Sequence, residues 1–134
     1  MTRVSWDEYF LGLAAQAAQR STCSRLSVGA VLVQARHVIG TGYNGAPSGL
    51  AHCVHTEDVP CRRTVHAEAN ALLHARGANT HDISVMYVTH SPCFECAKLI
   101  INAGVQGVIY STLYRSDEGL RLLSHAGIMV EWVK

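Results

Sequence analysis

The sequence predicts an α/β fold, a mixed and mainly parallel five-stranded sheet sandwiched between helices, and three observations carry that prediction. Strand-like and helix-like stretches alternate through the second half of the chain. Two β-prone runs split by a short polar segment open the sheet as a hairpin. The helical stretches of the second half run out at Gly77, Gly104 and Gly127, where a left-handed cap is wanted.

In chain order, Ser5 is placed as a helix N-cap with Glu8 three residues on, and the stretch to Arg20 puts Tyr9, Leu13 and Ala17 on one face. Residues 28–33 and 38–42 are β-prone and flank polar residues 34–37; the first run is apolar on both faces, which predicts a central strand. Residues 43–63 are rich in Gly, Pro, Asn and polar side chains, and a loop of that length inside a compact domain requires something to hold it. A helix over 66–76, a strand over 85–89 and a helix starting at Pro92 and ending before Gly104 follow. A strand over 108–110, a helix over 117–125 and a strand over 128–132 complete the order. With no repeat, linker or low-complexity stretch, 134 residues fit one domain over 1–134 that buries about two-thirds of its unfolded surface.

The composition, 49% hydrophobic and 16% charged, is that of an ordered protein. A net charge of +1 with Lys and Arg scattered singly offers no stripe to neutralise a run of phosphates, so a long nucleic acid is not an expected partner. No apolar run approaches the roughly 20 residues that span a bilayer, and the start lacks a signal core, which predicts no membrane association and a cytoplasmic location. Five cysteines, an odd number with one C-x-x-C pair, point to metal ligation or catalysis rather than disulfides.

The decisive motif is His66-Ala67-Glu68 followed, after one strand, by Pro92-Cys93-Phe94-Glu95-Cys96. H-x-E with P-C-x-x-C is the pattern of zinc nucleobase deaminases. Cys93 and Cys96 fall in the first turn of a helix, where free N–H groups favour thiolates, and His66 also opens a helix. One imidazole and two thiolates would then hold Zn²⁺ with a fourth position open to water, the arrangement of a catalytic rather than a structural site. Two thiolates offset the metal's charge, so a base is needed. Glu68 is assigned to take the proton from the zinc-activated water and deliver protons to N3 and the departing amine of a cytosine ring attacked at C4. The plainer alternative is half of a zinc knuckle, with His66 a hydrogen-bonded core residue.

Beyond that motif, the chain resembles the deoxycytidylate deaminases of the cytidine deaminase superfamily, including bacterial competence-operon and phage members. The resemblance runs through Trp6-Asp7-Glu8-Tyr9-Phe10, Arg20-Ser21-Thr22-Cys23, Val28-Gly29-Ala30, Gly42-Tyr43-Asn44-Gly45-Ala46-Pro47-Ser48-Gly49, the block from His66 to Ala71 and the block from Ser91 to Gly104. It implies a three-layer α/β/α sandwich and hydrolysis of dCMP to dUMP and ammonia, feeding thymidylate synthesis. It implies that Asn44 bonds the deoxyribose or base, that Arg25 and Tyr114 lie near the phosphate, and that Ala67 and Ser91 line the substrate site. A homo-oligomer, commonly a hexamer, is implied too, with dCTP and dTTP as effectors acting with Mg²⁺ through the Asn44-Gly45 region. Cys23, Cys53, His55 and Cys61 bracket the long loop and resemble a structural zinc set; Pro60 stands where relatives can have His, so His55 or His52 would serve as fourth ligand, or the set is incomplete. His37, His74, His81 and His125 read as surface residues and His90 as a hydrogen-bonding one. Rivals are a deaminase of tRNA adenosine, free cytosine, a 5-substituted dCMP or a riboflavin precursor, and a catalytically silent zinc-binding interaction protein.

Overall fold

The computed structural model describes residues 2–52, 63–77 and 82–134. Helix α1 spans Trp6–Ala18 and is capped as the Ser-x-x-Glu spacing predicts, the Ser5 hydroxyl accepting from the Glu8 N–H at 3.1 Å. Its buried residues are Phe10, Leu11, Ala14 and Ala18, so the predicted stripe of Tyr9, Leu13 and Ala17 is rotated by one position. Tyr9 is 47% exposed and meets Trp6 and Phe10 edge-on at the rim of the helix. The small Ala14 faces inward because α1 lies directly on Gly29, where a Cβ would strike the Ala14 carbonyl.

Strands β1 (Gly29–Gln34) and β2 (His37–Tyr43) form the predicted hairpin. Ala35 and Arg36 turn it with φ of 50° and 63°, the left-handed pair that matches strand twist. Strand β1 is buried along its whole length and pairs on its other side with β3 (Ser84–His90), again antiparallel. Strands β4 (Gly107–Thr112) and β5 (Met129–Trp132) then add in parallel, giving the order β2-β1-β3-β4-β5. Two antiparallel pairings in succession mean that β1 alone runs against the other strands.

The carboxyl ends of β2, β3 and β4 therefore gather at one end of the sheet. From that end start α2 (Ala67–Leu73), α3 (Phe94–Asn102) and α4 (Glu118–His125). Crevices at the carboxyl ends of strands are the usual ligand sites of such sheets. Helices α2 to α4 cover one face through Ala71, Ala97, Ile100 and Leu123 packed with Leu32, Met86, Val88 and Val108. Helix α1 covers the other face with Phe10 and Leu11 against Val31, Val33, Tyr87 and Ile109. The result is the three-layer α/β/α arrangement. Among the described residues no helix is long and apolar enough to cross a membrane.

Candidate active site

Two glycines set the backbone of the site. At Gly42 of β2 a Cβ would collide with backbone of Ala67 and Ala71, so α2 rests on the strand with nothing between them. The Asn70 amide ties the same helix to β2 by donating to the Tyr43 carbonyl at 2.9 Å. At Gly119 of α4 a Cβ would strike the backbone of Pro92 and Cys93, so α4 presses on the chain that enters α3.

These contacts bring His66, the N-cap of α2, to Cys93, the N-cap of α3, and to Cys96 in the first turn of α3. His66 lies just outside its helix in extended backbone, not within it as the sequence suggested. Its Nδ1 is 3.3 Å from Cys96 Sγ and 3.5 Å from Cys93 Sγ, and all three donor atoms lie within 4.8 Å of one another. Zn–S bonds of about 2.3 Å and Zn–N bonds of about 2.0 Å in a tetrahedron put sulfur and nitrogen about 3.5 Å apart, so this donor set fits zinc. His66 is exposed, Cys93 half-buried and Cys96 buried, so the cluster is open on one side.

The protonation of the cluster tells the same story. The Cys96 thiol donating to Cys93, with help from His66 and the Cys96 N–H, pulls the Cys93 thiol down to about 4. The partner sulfur, Cys96, is pushed strongly up by that hydrogen bond and by burial, while the Ala69 N–H opposes the rise. The hydrogen bond to Cys93 raises His66. The protons shared among these three groups are what a cation would displace on binding.

Glu68 sits one helical step inside α2 and is only 4% exposed. Burial raises its carboxyl to about 7, with its own backbone N–H and His66 opposing. A carboxyl in that range is suited to accepting and releasing a proton. Glu68 faces a pocket of about 370 Å³ shared with His66, Ala67, Cys93, Ser91 and Asn44, a size suited to a small organic ligand.

Arg25 and Tyr114 line the same pocket and meet each other, the guanidinium donating to the phenol oxygen at 3.1 Å. Ser91 accepts from the Tyr114 backbone N–H at 2.7 Å and so positions that segment. The Asn44 amide is buried and turned to the backbone, donating to the Leu26 carbonyl at 2.7 Å and accepting from the Val28 N–H at 2.9 Å. It clamps the segment that carries Arg25 and retains one further N–H and one lone pair for the pocket. Gly45 bridges to Val65 and lies against the Thr22 hydroxyl, where a Cβ would collide.

Cys23 lines the pocket, while Cys53, His55 and Cys61 lie outside the described residues. His52, His37, His74 and His125 are exposed, and His81 lies outside the described residues. Sequence reasoning passed over Arg115, which lines the pocket with its guanidinium 5.6 Å from the Tyr114 ring centroid, and over Gly119. A glycine inside a helical stretch was the available signal for the latter.

A pocket at the carboxyl ends of parallel strands, with one imidazole, two thiols and a buried carboxyl on one wall, is the arrangement of the zinc hydrolytic deaminases. Comparison with known proteins narrows that class. The family description "Cytidine and deoxycytidylate deaminase zinc-binding region" matches residues 4–112, and the chain belongs to this family. It is 43% identical to ComE operon protein 2 of Bacillus subtilis over 141 aligned positions, covering all of this chain and 74% of that one. It is 46% identical to the deoxycytidylate deaminase of Mycobacterium phage D29, covering 82% of this chain and 97% of the phage protein. The crystal structure of the dCMP deaminase of cyanophage S-TIM5 in complex with dCMP and dUMP superposes with a TM-score of 0.88 at 35% identity, over 99% of this chain and all of the other.

Proposed function

We propose that this chain is a zinc-dependent deoxycytidylate deaminase, converting dCMP and water to dUMP and ammonia and so feeding thymidylate synthesis. The observation that carries this reading is the donor triangle of His66, Cys93 and Cys96 with the buried carboxyl of Glu68 on one wall of a ligand-sized pocket. His66 Nδ1 and the two sulfurs hold zinc, which when bound supplies the Lewis acidity that makes a water nucleophilic near neutral pH. Glu68 removes a proton from the attacking water and passes it to N3 of the pyrimidine. It then carries the second proton to the amino nitrogen as the C4–N bond breaks, and ammonia leaves. Its raised pKa supports both duties, since a group near neutrality gives a proton as readily as it takes one.

Arg25 and Tyr114 receive the 5′-phosphate, Ser91 holds the Tyr114 segment against it, and Ala67 and Asn44 frame the base and sugar. The relatives named deoxycytidylate deaminase, one of them solved with dCMP and dUMP, support the same substrate here. The reading extends to a second, structural zinc on Cys23, Cys53, His55 and Cys61. It also extends to dCTP and dTTP as effectors with Mg²⁺ near Asn44 and Gly45, and to a homo-oligomer, a hexamer by resemblance.

Ammonia release from dCMP, deoxycytidine, cytosine and dCTP by the zinc-loaded protein tests the substrate, and turnover of dCMP well above the others is expected. Preference for cytosine or deoxycytidine would overturn the assignment. Metal analysis tests the second site: a second equivalent of zinc per chain supports it, and a single equivalent removes it.

A further inference from the structure

His90 ends β3, three residues before Cys93, and lines the pocket that Glu68 and Ser91 also line. Its Nδ1 lies 2.9 Å from the hydroxyl of Thr89, and that hydroxyl accepts from the Gly29 N–H at 3.1 Å. Thr89 is buried, and a hydroxyl has one proton to give. The Gly29 N–H can only donate, so the Thr89 proton must find another acceptor, and His90 Nδ1 is the only acceptor within reach of it among the described residues. Were Nδ1 protonated instead, two donors would converge on the Thr89 oxygen and its own buried proton would have no acceptor, which costs more than a hydrogen bond is worth. Burial further disfavours the doubly protonated ring, lowering the His90 pKa.

We infer that the Gly29–Thr89 pair fixes His90 as its neutral Nε2–H tautomer, so that the ring presents a hydrogen-bond donor, and no acceptor, to the bound nucleotide. This deepens the deaminase reading and rests on it for the ligand. His90 is then a specificity residue. Its Nε2–H donates to an oxygen of the substrate, from the ring carbonyl or the sugar, and it disfavours a ligand that can offer only a donor at that point. Nothing in the hydrolytic step requires it, so its loss should appear in binding rather than in turnover.

The test has two independent readouts on the zinc-loaded protein. Long-range ¹H–¹⁵N spectra report the tautomer directly, the His90 signal being assigned by its disappearance in His90→Leu. Wild type should show a protonated Nε2 and a bare Nδ1, Thr89→Val should move toward a mixture, and Thr89→Ser should restore the wild-type pattern. Calorimetric binding of dUMP, the product, needs no turnover. His90→Leu should weaken it about tenfold, the worth of one hydrogen bond, with His90→Gln recovering most of the loss and kcat for dCMP changing by less than about threefold. A protonated Nδ1 in wild type, or unchanged dUMP affinity in His90→Leu, overturns the inference. Absence of dCMP turnover in wild type would instead sink the deaminase reading, and the spectra would still decide the tautomer.

Discussion

On one wall of the pocket, His66, Cys93, Cys96 and Glu68 stand at the starts of helices that Gly42 and Gly119 let rest on neighbouring backbone. On the other, Arg25 and Tyr114 stand on connecting segments held by single side chains, Asn44 and Ser91. The two walls therefore respond differently to change. The first is set by backbone against backbone and has little slack for an added methyl group, so a displacement at one contact is passed on to the metal ligands. The second is set by individual hydrogen bonds, and its loss should be graded, in affinity more than in rate.

The largest effects belong to the first wall. Cys96→Ala should lose the catalytic zinc and lower dCMP turnover by at least about 10⁴-fold, whereas Glu68→Gln should keep the zinc and still lose about 10³-fold, since the carboxylate moves protons without holding metal. Paired metal analysis and ammonia release separate the two, and full turnover in Glu68→Gln would break the proposed division of labour.

Arg25→Ala probes the second wall. KM for dCMP should rise about 10- to 100-fold with kcat little changed, while deoxycytidine, which has no phosphate, should be handled as by wild type. Steady-state kinetics on both substrates check this, and an equal loss on deoxycytidine would move Arg25 out of the phosphate site.

Gly119→Ala sharpens the comparison, because it touches neither metal nor substrate. By displacing the Pro92–Cys93 backbone it should weaken zinc about tenfold in a chelator competition, an effect of the size seen when the support of a ligand is disturbed. Asn44→Ala should cost about 1–3 kcal/mol of stability by thermal unfolding and raise KM only about fivefold, because its amide chiefly holds backbone. A KM change far beyond that, without loss of stability, would give Asn44 a direct hold on the substrate.

The same contrast explains what could be read in the sequence. The strand and helix order was legible because each element carries its own local signal: the Ser5 cap, the hairpin polarity, and the glycines at 77, 104 and 127, all of which adopt positive φ. The grouping of His66 with Cys93 and Cys96 was legible because helix starts at the same sheet end make sequence spacing nearly equal to position in space. The face of α1 was misread by one residue, since Tyr9 counts as apolar in a pattern while its ring is content at a solvent rim beside Trp6. The roles of Asn44, Ser91 and Gly119 rest on contacts between segments 16 to 26 residues apart or more, for which no periodicity exists. Arg25 reached attention only through likeness to other chains, because a single arginine in a polar stretch has no distinguishing pattern.

The Asn44-Gly45 pair has a chemical consequence as well. In an unrestrained chain the nitrogen following an asparagine can close on its amide carbon when a glycine leaves the approach open, and such asparagines are the ones that age with heat. Here that nitrogen is committed to the Val65 carbonyl and the amide to Leu26 and Val28, so the ring closure is blocked while the fold holds. Each opening of this corner exposes the pair to succinimide formation, and a chain that closes again with a carboxylate there would face the Leu26 carbonyl with no proton to offer it. Deamidation should thus accumulate in proportion to the time this corner spends locally unfolded, and each chemical conversion should be irreversible.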